Sequence, residues 1–191
     1  MADVTTQGGL AAQLRERFEA ATQRARELAG GLGEEELGWH PPAGGWSVGE
    51  VLEHLVVSAD SYLDKLPAVT AKAKRGAAGP GTPWKPSLMG GYLAKSLAPG
   101  TRALPAPKIY RPAETPRADV LEQFIDRQNR FVRAMDDAAG LVWTTVRMGS
   151  PVLALVRVNL GDVFAVNCVH VERHLGQIER VLKARGPHPA G

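Results

Sequence analysis

The chain has 191 residues, of which 44% are hydrophobic and 23% are charged, and its net charge is +3. This balance is typical of a globular protein that buries its own core, and we expect a single domain over residues 1–191. The basic residues are scattered among acidic ones, which argues against nucleic-acid binding, and no apolar run approaches the roughly 18 residues that a membrane span needs.

Two helices are predicted in the first part of the chain. The first covers residues 8–30, where apolar side chains recur at helical spacing until a pair of glycines ends the pattern. The second begins after Ser47, which forms a capping box with Glu50 three residues later, and it fades into a cationic segment at 72–76. Trp46, directly before the cap, is interpreted as a hydrophobic staple that packs onto the first turn.

Residues 77–114 form a long connection between the second and third predicted helices. The segment contains seven prolines and five glycines and has little periodicity. A connection of this length inside a compact domain is usually functional or disordered. Because it carries Trp84, Tyr92 and Tyr110, we predict an ordered but irregular strap that crosses the bundle.

The third predicted helix follows this strap. Thr115 is expected to cap its N-terminus, with Pro116 at the first helical position. Apolar side chains at helical spacing then continue to about residue 139, and Gly140 is the predicted stop signal. The third helix is therefore expected to present a continuous apolar stripe to the core.

The last part of the chain predicts a short extended piece and a fourth helix. Residues 141–158 are irregular and rich in β-branched side chains. Asn159 is the predicted N-cap of the fourth helix, with Asp162 at its third position, and the helix reaches Arg185. Four amphipathic helices with a long connection between the second and third predict an all-α fold of the four-helix-bundle class.

Three histidines are the candidate metal ligands. His170 and His174 are four residues apart on the fourth helix, so their side chains differ by only about 40° around its axis. His54 lies on the second helix and could approach them from a neighbouring position. Three imidazoles with an open coordination position are typical of a catalytic metal centre. The alternative for the pair alone is two partly exposed histidines with ordinary hydrogen bonds.

Three further polar residues are candidates for the surroundings of this centre. Asn167 and Gln177 share the face of the fourth helix that carries the histidine pair, so we predict that they form hydrogen bonds around the ligands. Glu50 precedes His54 by one helical turn and is either a fourth ligand or only the partner of the capping box. The sequence names no catalytic residue.

A zinc protease is excluded by the position of the nearest glutamate. That class needs a glutamate directly after the first histidine, whereas Glu172 follows His170 by two residues and points away from the metal. Cys168 also lies on the opposite side of the helix and is interpreted as a core side chain. As the single cysteine, it excludes a disulfide framework, and with no signal-peptide pattern at residues 1–7 it predicts a cytoplasmic protein.

Two segments resemble the DinB-like (DinB/YfiT) superfamily of metal-binding four-helix bundles. Residues 45–55 have the pattern W-S-x-x-E-x-x-x-H-L, and residues 170–178 have the pattern H-x-E-R-H-L-x-Q-I. The resemblance implies that His54, His170 and His174 bind one divalent metal, which is zinc, nickel, iron or manganese. Relatives of this kind include S-transferases that use bacillithiol or mycothiol, a mycothiol-dependent maleylpyruvate isomerase, and metal-dependent hydrolases.

The function expected from the resemblance is a metal-dependent enzyme of the thiol S-transferase type. A low-molecular-weight thiol, such as mycothiol or bacillithiol, would be activated at the tri-histidine metal and transferred to a small-molecule substrate. The alternatives are a metal-dependent hydrolase and a non-catalytic, stress-associated metal-binding bundle. A homodimer is also expected.

The strap is expected to form the substrate pocket beside the open side of the metal. Trp84, Tyr92 and Tyr110 are the candidate pocket residues, because loops on a rigid scaffold commonly carry specificity. Exchange of 77–114 for a short Gly/Ser linker is therefore predicted to change turnover while leaving metal binding mostly intact.

Overall fold

A computed structural model describes residues 5–74, 76, 78–101, 105–113, 115–152 and 155–186. In chain order the elements are α1 (Gln7–Ala29), α2 (Glu34–Leu37), α3 (Val48–Leu63), α4 (Leu66–Ala71), α5 (Leu88–Ser96), a 3-10 turn (Lys108–Tyr110), α6 (Val120–Asp137), β1 (Arg147–Gly149), β2 (Arg157–Asn159) and α7 (Leu160–Arg185). None of the helices in these ranges is long and apolar enough to cross a membrane.

The four long helices α1, α3, α6 and α7 form a four-helix bundle, which confirms the predicted fold class. Helix α1 packs against α6 and α7, and α3 packs against the same two helices. Helices α1 and α3 therefore lie across one diagonal of the bundle. The consequence for function is that α3 and α7, which carry the three candidate histidines, are direct neighbours.

The core between the helices consists of two hydrophobic clusters. In one cluster the rings of Phe18 and Phe131 stack with their centroids 5.5 Å apart. The other joins the two histidine-bearing helices, because Leu55 of α3 and Leu175 of α7 both belong to it. Burial of apolar side chains of this size typically stabilises the fold by about 1.5–3 kcal/mol each. The backbone around the histidines is thus held by the main core.

The predicted starts of the two histidine-bearing helices are confirmed. The backbone N–H of Ser47 donates to Glu50 Oε2 over 2.8 Å, and the N–H of Glu50 donates back to Ser47 Oγ over 3.2 Å. Asn159 and Asp162 form the equivalent pair at the start of α7, with distances of 3.0 and 2.9 Å. These local hydrogen bonds fix where each helix begins and therefore which face each histidine occupies.

The second predicted helix is divided in the structure into α3 and α4. Helix α3 ends at Leu63, and α4 begins at Leu66. The cause is Pro67, because a proline inside a helix clashes with the carbonyl group four residues earlier, which here belongs to Leu63. The prediction of one continuous helix to 72–76 was wrong at this point.

The start of the third predicted helix was also wrong. Thr115 does not cap it, because α6 begins at Val120 after Asp119. Pro116 instead packs against α3, where a Cβ added at Gly49 would lie 2.7 Å from Pro116 Cγ. The proline therefore belongs to a packed loop in which its contact with α3 outweighs its local preference for the first turn of a helix.

The connection at 77–114 is not wholly irregular, since it contains α5 and the 3-10 turn. Residues 77, 102–104 and 114 lie outside the described ranges. Ser87 caps α5, and the backbone N–H of Ser87 also donates to both carboxylate oxygens of Asp162, over 3.1 and 3.2 Å. A Cβ added at Gly90 would overlap the same carboxylate. Contact with α7 therefore holds a helix whose own sequence is a weak helix former.

The predicted extended piece at 141–158 is confirmed as a two-stranded hairpin. Strands β1 and β2 are antiparallel, and Met148 lies opposite Val158. Both of these side chains are buried. Strand β2 ends at Asn159, which is also the N-cap of α7, so the hairpin leads directly to the start of that helix.

Candidate metal centre

Three imidazoles converge between α3 and α7. The nearest nitrogen atoms of His54, His170 and His174 all lie within 4.8 Å of one another. The closest pair is His54 Nε2 and His170 Nε2, which are 3.2 Å apart. Two imidazole nitrogens on one tetrahedral zinc, each about 2.0–2.1 Å from the ion, would be about 3.3 Å apart. The spacing of this pair therefore fits a shared divalent metal, and all three nitrogen atoms are close enough together to hold one ion.

Two of the rings are oriented by hydrogen bonds at their far nitrogen atoms. His54 Nδ1 donates to the backbone carbonyl of Tyr110 over 2.7 Å. His174 Nδ1 lies 2.9 Å from Gln177 Oε1. A neutral imidazole that donates from Nδ1 keeps a lone pair on Nε2, so both Nε2 atoms are left as ligand atoms. Such partners on the far nitrogen are usual for metal-binding histidines.

Burial keeps the three imidazoles neutral. Desolvation lowers the pKa of His54, against the opposing effect of its hydrogen bond to Tyr110. Desolvation also lowers the pKa of His170 far below its usual value, and the neighbouring histidines add to this effect. The pKa of His174 falls to about 3, mainly through desolvation and then through the charge of His54. Neutral rings are the form that a metal requires.

A cavity of about 590 Å³ adjoins the three histidines. Helices α3 and α7 form one side, and the connection at 77–114 contributes Leu93, Leu97 and residues 105–107 to the other. The indole ring of Trp46 covers one edge, with its centroid 4.9 Å from that of His54. Among the described residues that line the cavity there is no aspartate or glutamate. The space is large enough for a small molecule beside the imidazoles.

The three polar neighbours predicted from the sequence have different positions. Gln177 contacts His174, as expected. Asn167 lines the cavity, but its Nδ2 donates to the carbonyl of Val163 over 2.8 Å and not to a histidine. Glu50 is not brought to the histidine cluster, because its carboxylate caps α3 and approaches His40 Nδ1 at 3.5 Å. The contacts of Glu50 therefore support the capping interpretation over the ligand interpretation.

The three aromatic residues predicted for the pocket are not brought together. Tyr110 is buried and lines the cavity. Trp84 lies elsewhere, where its Nε1 donates to Asn159 Oδ1 over 3.2 Å and its ring covers Gly161. Tyr92 is 64% exposed and does not line the cavity. The aromatic residues of the connection indicated that it is ordered, but the sequence could not show which of their side chains point towards the histidines.

The cavity residues that were not singled out as site residues in the sequence include Trp46, Ser58, Arg173 and Arg180. Ser58 could have been found, since it follows His54 by four residues and so shares its helix face. Trp46 was interpreted only as a staple. Arg173 fastens the strap, because its guanidinium donates to the carbonyls of Ala98 and Thr101 over 3.0 and 3.1 Å. This last contact joins residues more than 70 positions apart, so no local sequence pattern could have predicted it.

The remaining nucleophilic and acidic groups of α7 face away from the cavity. Glu172 accepts two hydrogen bonds of 2.7 Å from Arg17 of α1, which confirms that it points away from the histidines. Cys168 is buried in the core, and desolvation raises the pKa of its thiol to about 12. A thiol with this pKa remains protonated at neutral pH and is unreactive as a nucleophile.

Comparison with known proteins identifies a related family and a related structure. The family model of the DinB superfamily matches residues 17–178. The fold is similar to that of YfiT from Bacillus subtilis, described as a probable metal-dependent hydrolase with an unusual four-helix bundle topology. The similarity has a TM-score of 0.55 at 13% sequence identity and covers 90% of this chain and 85% of YfiT. A comparison with curated proteins gave no match.

Proposed function

The chain belongs to the DinB superfamily, and on this premise we propose that His54, His170 and His174 hold one divalent metal in an enzyme that acts on a small molecule. The observation that carries the proposal is the convergence of three neutral imidazoles on the wall of a 590 Å³ cavity. A non-catalytic metal-binding bundle would be expected to have a filled or inaccessible fourth position. The adjoining cavity favours an enzyme.

The donor set favours particular metals. Imidazole nitrogen suits zinc, iron and nickel, whereas manganese prefers carboxylate and carbonyl oxygen. No carboxylate belongs to the histidine cluster in the described part of the chain. We therefore propose zinc, nickel or iron in preference to manganese.

The proposed reaction is the transfer of a low-molecular-weight thiol to an electrophilic substrate. When bound, the metal would supply Lewis-acid chemistry that lowers the pKa of a thiol or of water. A thiol starts from a pKa of about 8.5 and needs a small shift, whereas water starts from about 15.7. The described cavity residues include no carboxylate that could act as a general base. This environment favours a thiol over water as the nucleophile.

The thiol would have to come from outside the protein. Cys168 is the only cysteine of the chain, and its thiol is buried with a raised pKa. It therefore cannot supply a thiolate to the cavity. Mycothiol and bacillithiol are the proposed co-substrates.

A metal-dependent hydrolase is the second candidate function. It is favoured by the similarity of the fold to YfiT, a protein described as a probable metal-dependent hydrolase. The two candidates differ in one measurable respect, because only the transferase needs an added thiol.

The experiment combines metal analysis with a thiol-dependence assay. Metal content is measured by mass spectrometry for the wild type and for His54→Ala, His170→Ala and His174→Ala, with His40→Ala as the matched control. We expect about one metal per chain in the wild type and control, and a sharp loss in the three variants. Equal metal content in the wild type and the three variants would contradict the proposed site.

Turnover is then measured on the zinc-loaded protein. Mycothiol or bacillithiol is supplied with monochlorobimane as the electrophile, and p-nitrophenyl acetate is supplied both with and without thiol. Bimane conjugation that depends on the metal supports the transferase. Ester hydrolysis that is unaffected by thiol supports the hydrolase, and no turnover of either probe counts against both.

Three broader expectations are separate proposals. We propose that residues 1–191 form one domain, that two chains associate as a homodimer and that the protein acts in the cytoplasm. Limited proteolysis, light scattering and cell fractionation test them in turn.

A further inference from the structure

We propose that the cavity beside the histidines contains an anion subsite at Arg180, which holds a carboxylate of the substrate while the apolar walls hold its body. The proposal rests on the proposed function in taking this cavity as the substrate site. It goes further by naming the chemical class of the substrate, a small carboxylic acid with an aliphatic or aromatic body.

The first step in the argument is the position of the guanidinium. Arg180 lies on α7 and lines the same cavity as His174. Its side chain folds back along the helix, because a Cβ added at Gly176 would lie 3.7 Å from Arg180 Nη1. Long side chains on a helix point in this direction, towards the N-terminal end. The charge of Arg180 is near enough to contribute to the lowered pKa of His174.

The second step is that Arg180 has no partner in the described part of the chain. No hydrogen bond or ion pair joins it to another described residue, and the preceding carboxylate, Glu179, is bonded to Arg24 at 2.9 Å. The other arginine at the cavity, Arg173, donates to the backbone carbonyls of Ala98 and Thr101. Arg180 is therefore the guanidinium left to bind a ligand.

The third step is the charge of the cavity. Its described lining contains two positively charged arginines, Arg173 and Arg180, and no carboxylate, while the three histidines are neutral. A cavity of this charge attracts anions. A planar guanidinium matches a carboxylate through two parallel hydrogen bonds. One free guanidinium suits a singly charged carboxylate better than a doubly charged phosphate.

The fourth step concerns the remainder of the ligand. Leu93, Leu97 and Val152 line the cavity together with the ring of Trp46. These side chains offer apolar contact area and few hydrogen-bonding groups. A ligand that is charged at both ends would leave one charge against them, at a cost in desolvation. A carboxylic acid with one apolar end can bind Arg180 through its carboxylate and contact the apolar side chains with its other end.

The test compares a carboxylate with its uncharged amide on the metal-free protein. The probes are 4-phenylbutyrate and 4-phenylbutanamide, and their dissociation constants are measured by titration calorimetry at low ionic strength with a chelator present. We expect the acid to bind the wild type about tenfold more tightly than the amide. This factor corresponds to the lower end of the usual contribution of a hydrogen bond to a charged group, because Arg180 is exposed. Metal is absent, so binding of the carboxylate to the metal does not contribute.

Variants then assign this preference to one residue. Arg180→Gln should bring the two dissociation constants together while leaving that of the amide unchanged, and Arg180→Lys should keep part of the preference. Arg133→Gln is the matched control, since Arg133 lies on α6 with its side chain 62% exposed. It should keep the full preference.

Several results would overturn the subsite. These are equal affinity of the wild type for acid and amide, no binding of the acid, a preference that survives in Arg180→Gln, or one that is lost equally in Arg133→Gln. Because the assay needs no metal, its outcome is independent of the proposed reaction. Failure of metal binding with a retained acid preference would remove the proposed enzyme and keep the subsite.

Discussion

The buried histidines should make the metal-free protein less stable as the pH falls, and His174 gives the magnitude. An imidazole in the unfolded chain has a pKa of about 6.5, whereas the pKa of His174 in the folded protein is about 3. Below about pH 6.5 the unfolded state therefore binds a proton that the folded state does not bind. The free energy of unfolding is highest above this pH and falls between the two pKa values.

The size of the effect follows from the shift. At about pH 5, protonation stabilises an unfolded imidazole of pKa about 6.5 by about 2 kcal/mol, while the folded His174 remains almost entirely neutral. The pKa values of His54 and His170 are lowered as well, so their contributions have the same sign. We therefore expect the wild type to lose at least about 2 kcal/mol of unfolding free energy between about pH 8 and about pH 5 from this site.

Urea unfolding of the chelator-treated protein at the two pH values measures this loss. The variant His174→Gln should lose about 2 kcal/mol less than the wild type, because the titrating group is absent. His40→Gln is the control, since the side chain of His40 is 54% exposed, and it should behave as the wild type does. A His174→Gln variant with the same pH dependence as the wild type would show that this imidazole is not buried in its neutral form.

Three other predictions concern single residues around the bundle. Gly90→Ala should destabilise the protein by about 1–3 kcal/mol, measured by urea unfolding, because its Cβ would overlap the Asp162 carboxylate; metal content should be unchanged. Binding of Co²⁺ should quench tryptophan fluorescence, and Trp46→Phe should remove most of the quenching, because the Trp46 ring lies 4.9 Å from that of His54. Cys168→Ala should retain thiol-dependent turnover, and its loss would contradict an external thiol.

The parts of the site that were predictable depend on local hydrogen bonds. Ser47 with Glu50 and Asn159 with Asp162 lie three residues apart in the sequence, so their capping boxes could be read without knowing the fold. Each cap sets the start of a helix and hence the face on which His54 or the histidine pair lies. The periodicity of the apolar side chains then requires both faces to meet at a core.

The parts that were not predictable depend on contacts between distant residues. Helix α5 contains two adjacent glycines, and its anchor is a carboxylate, that of Asp162, 75 positions after Ser87. Sequence patterns record local preference, so they cannot show that a distant side chain will stabilise a weak helix. The same holds for Trp84, whose position follows from its hydrogen bond to Asn159.

The strap contacts the metal centre through the backbone carbonyl oxygen of Tyr110. Exchange of the whole strap should therefore affect metal binding as well as turnover. The carbonyl of Tyr110 accepts the hydrogen bond that orients His54, and the Tyr110 hydroxyl lies 2.9 Å from Ser61 Oγ on α3. Loss of such a partner typically lowers metal affinity by about 10- to 100-fold. Replacing residues 88–101 should therefore leave metal affinity unchanged, whereas a linker that also replaces 105–113 should weaken it. Equal affinity in both exchanges, measured by competition with a chelator, would show that His54 keeps its orientation without this carbonyl.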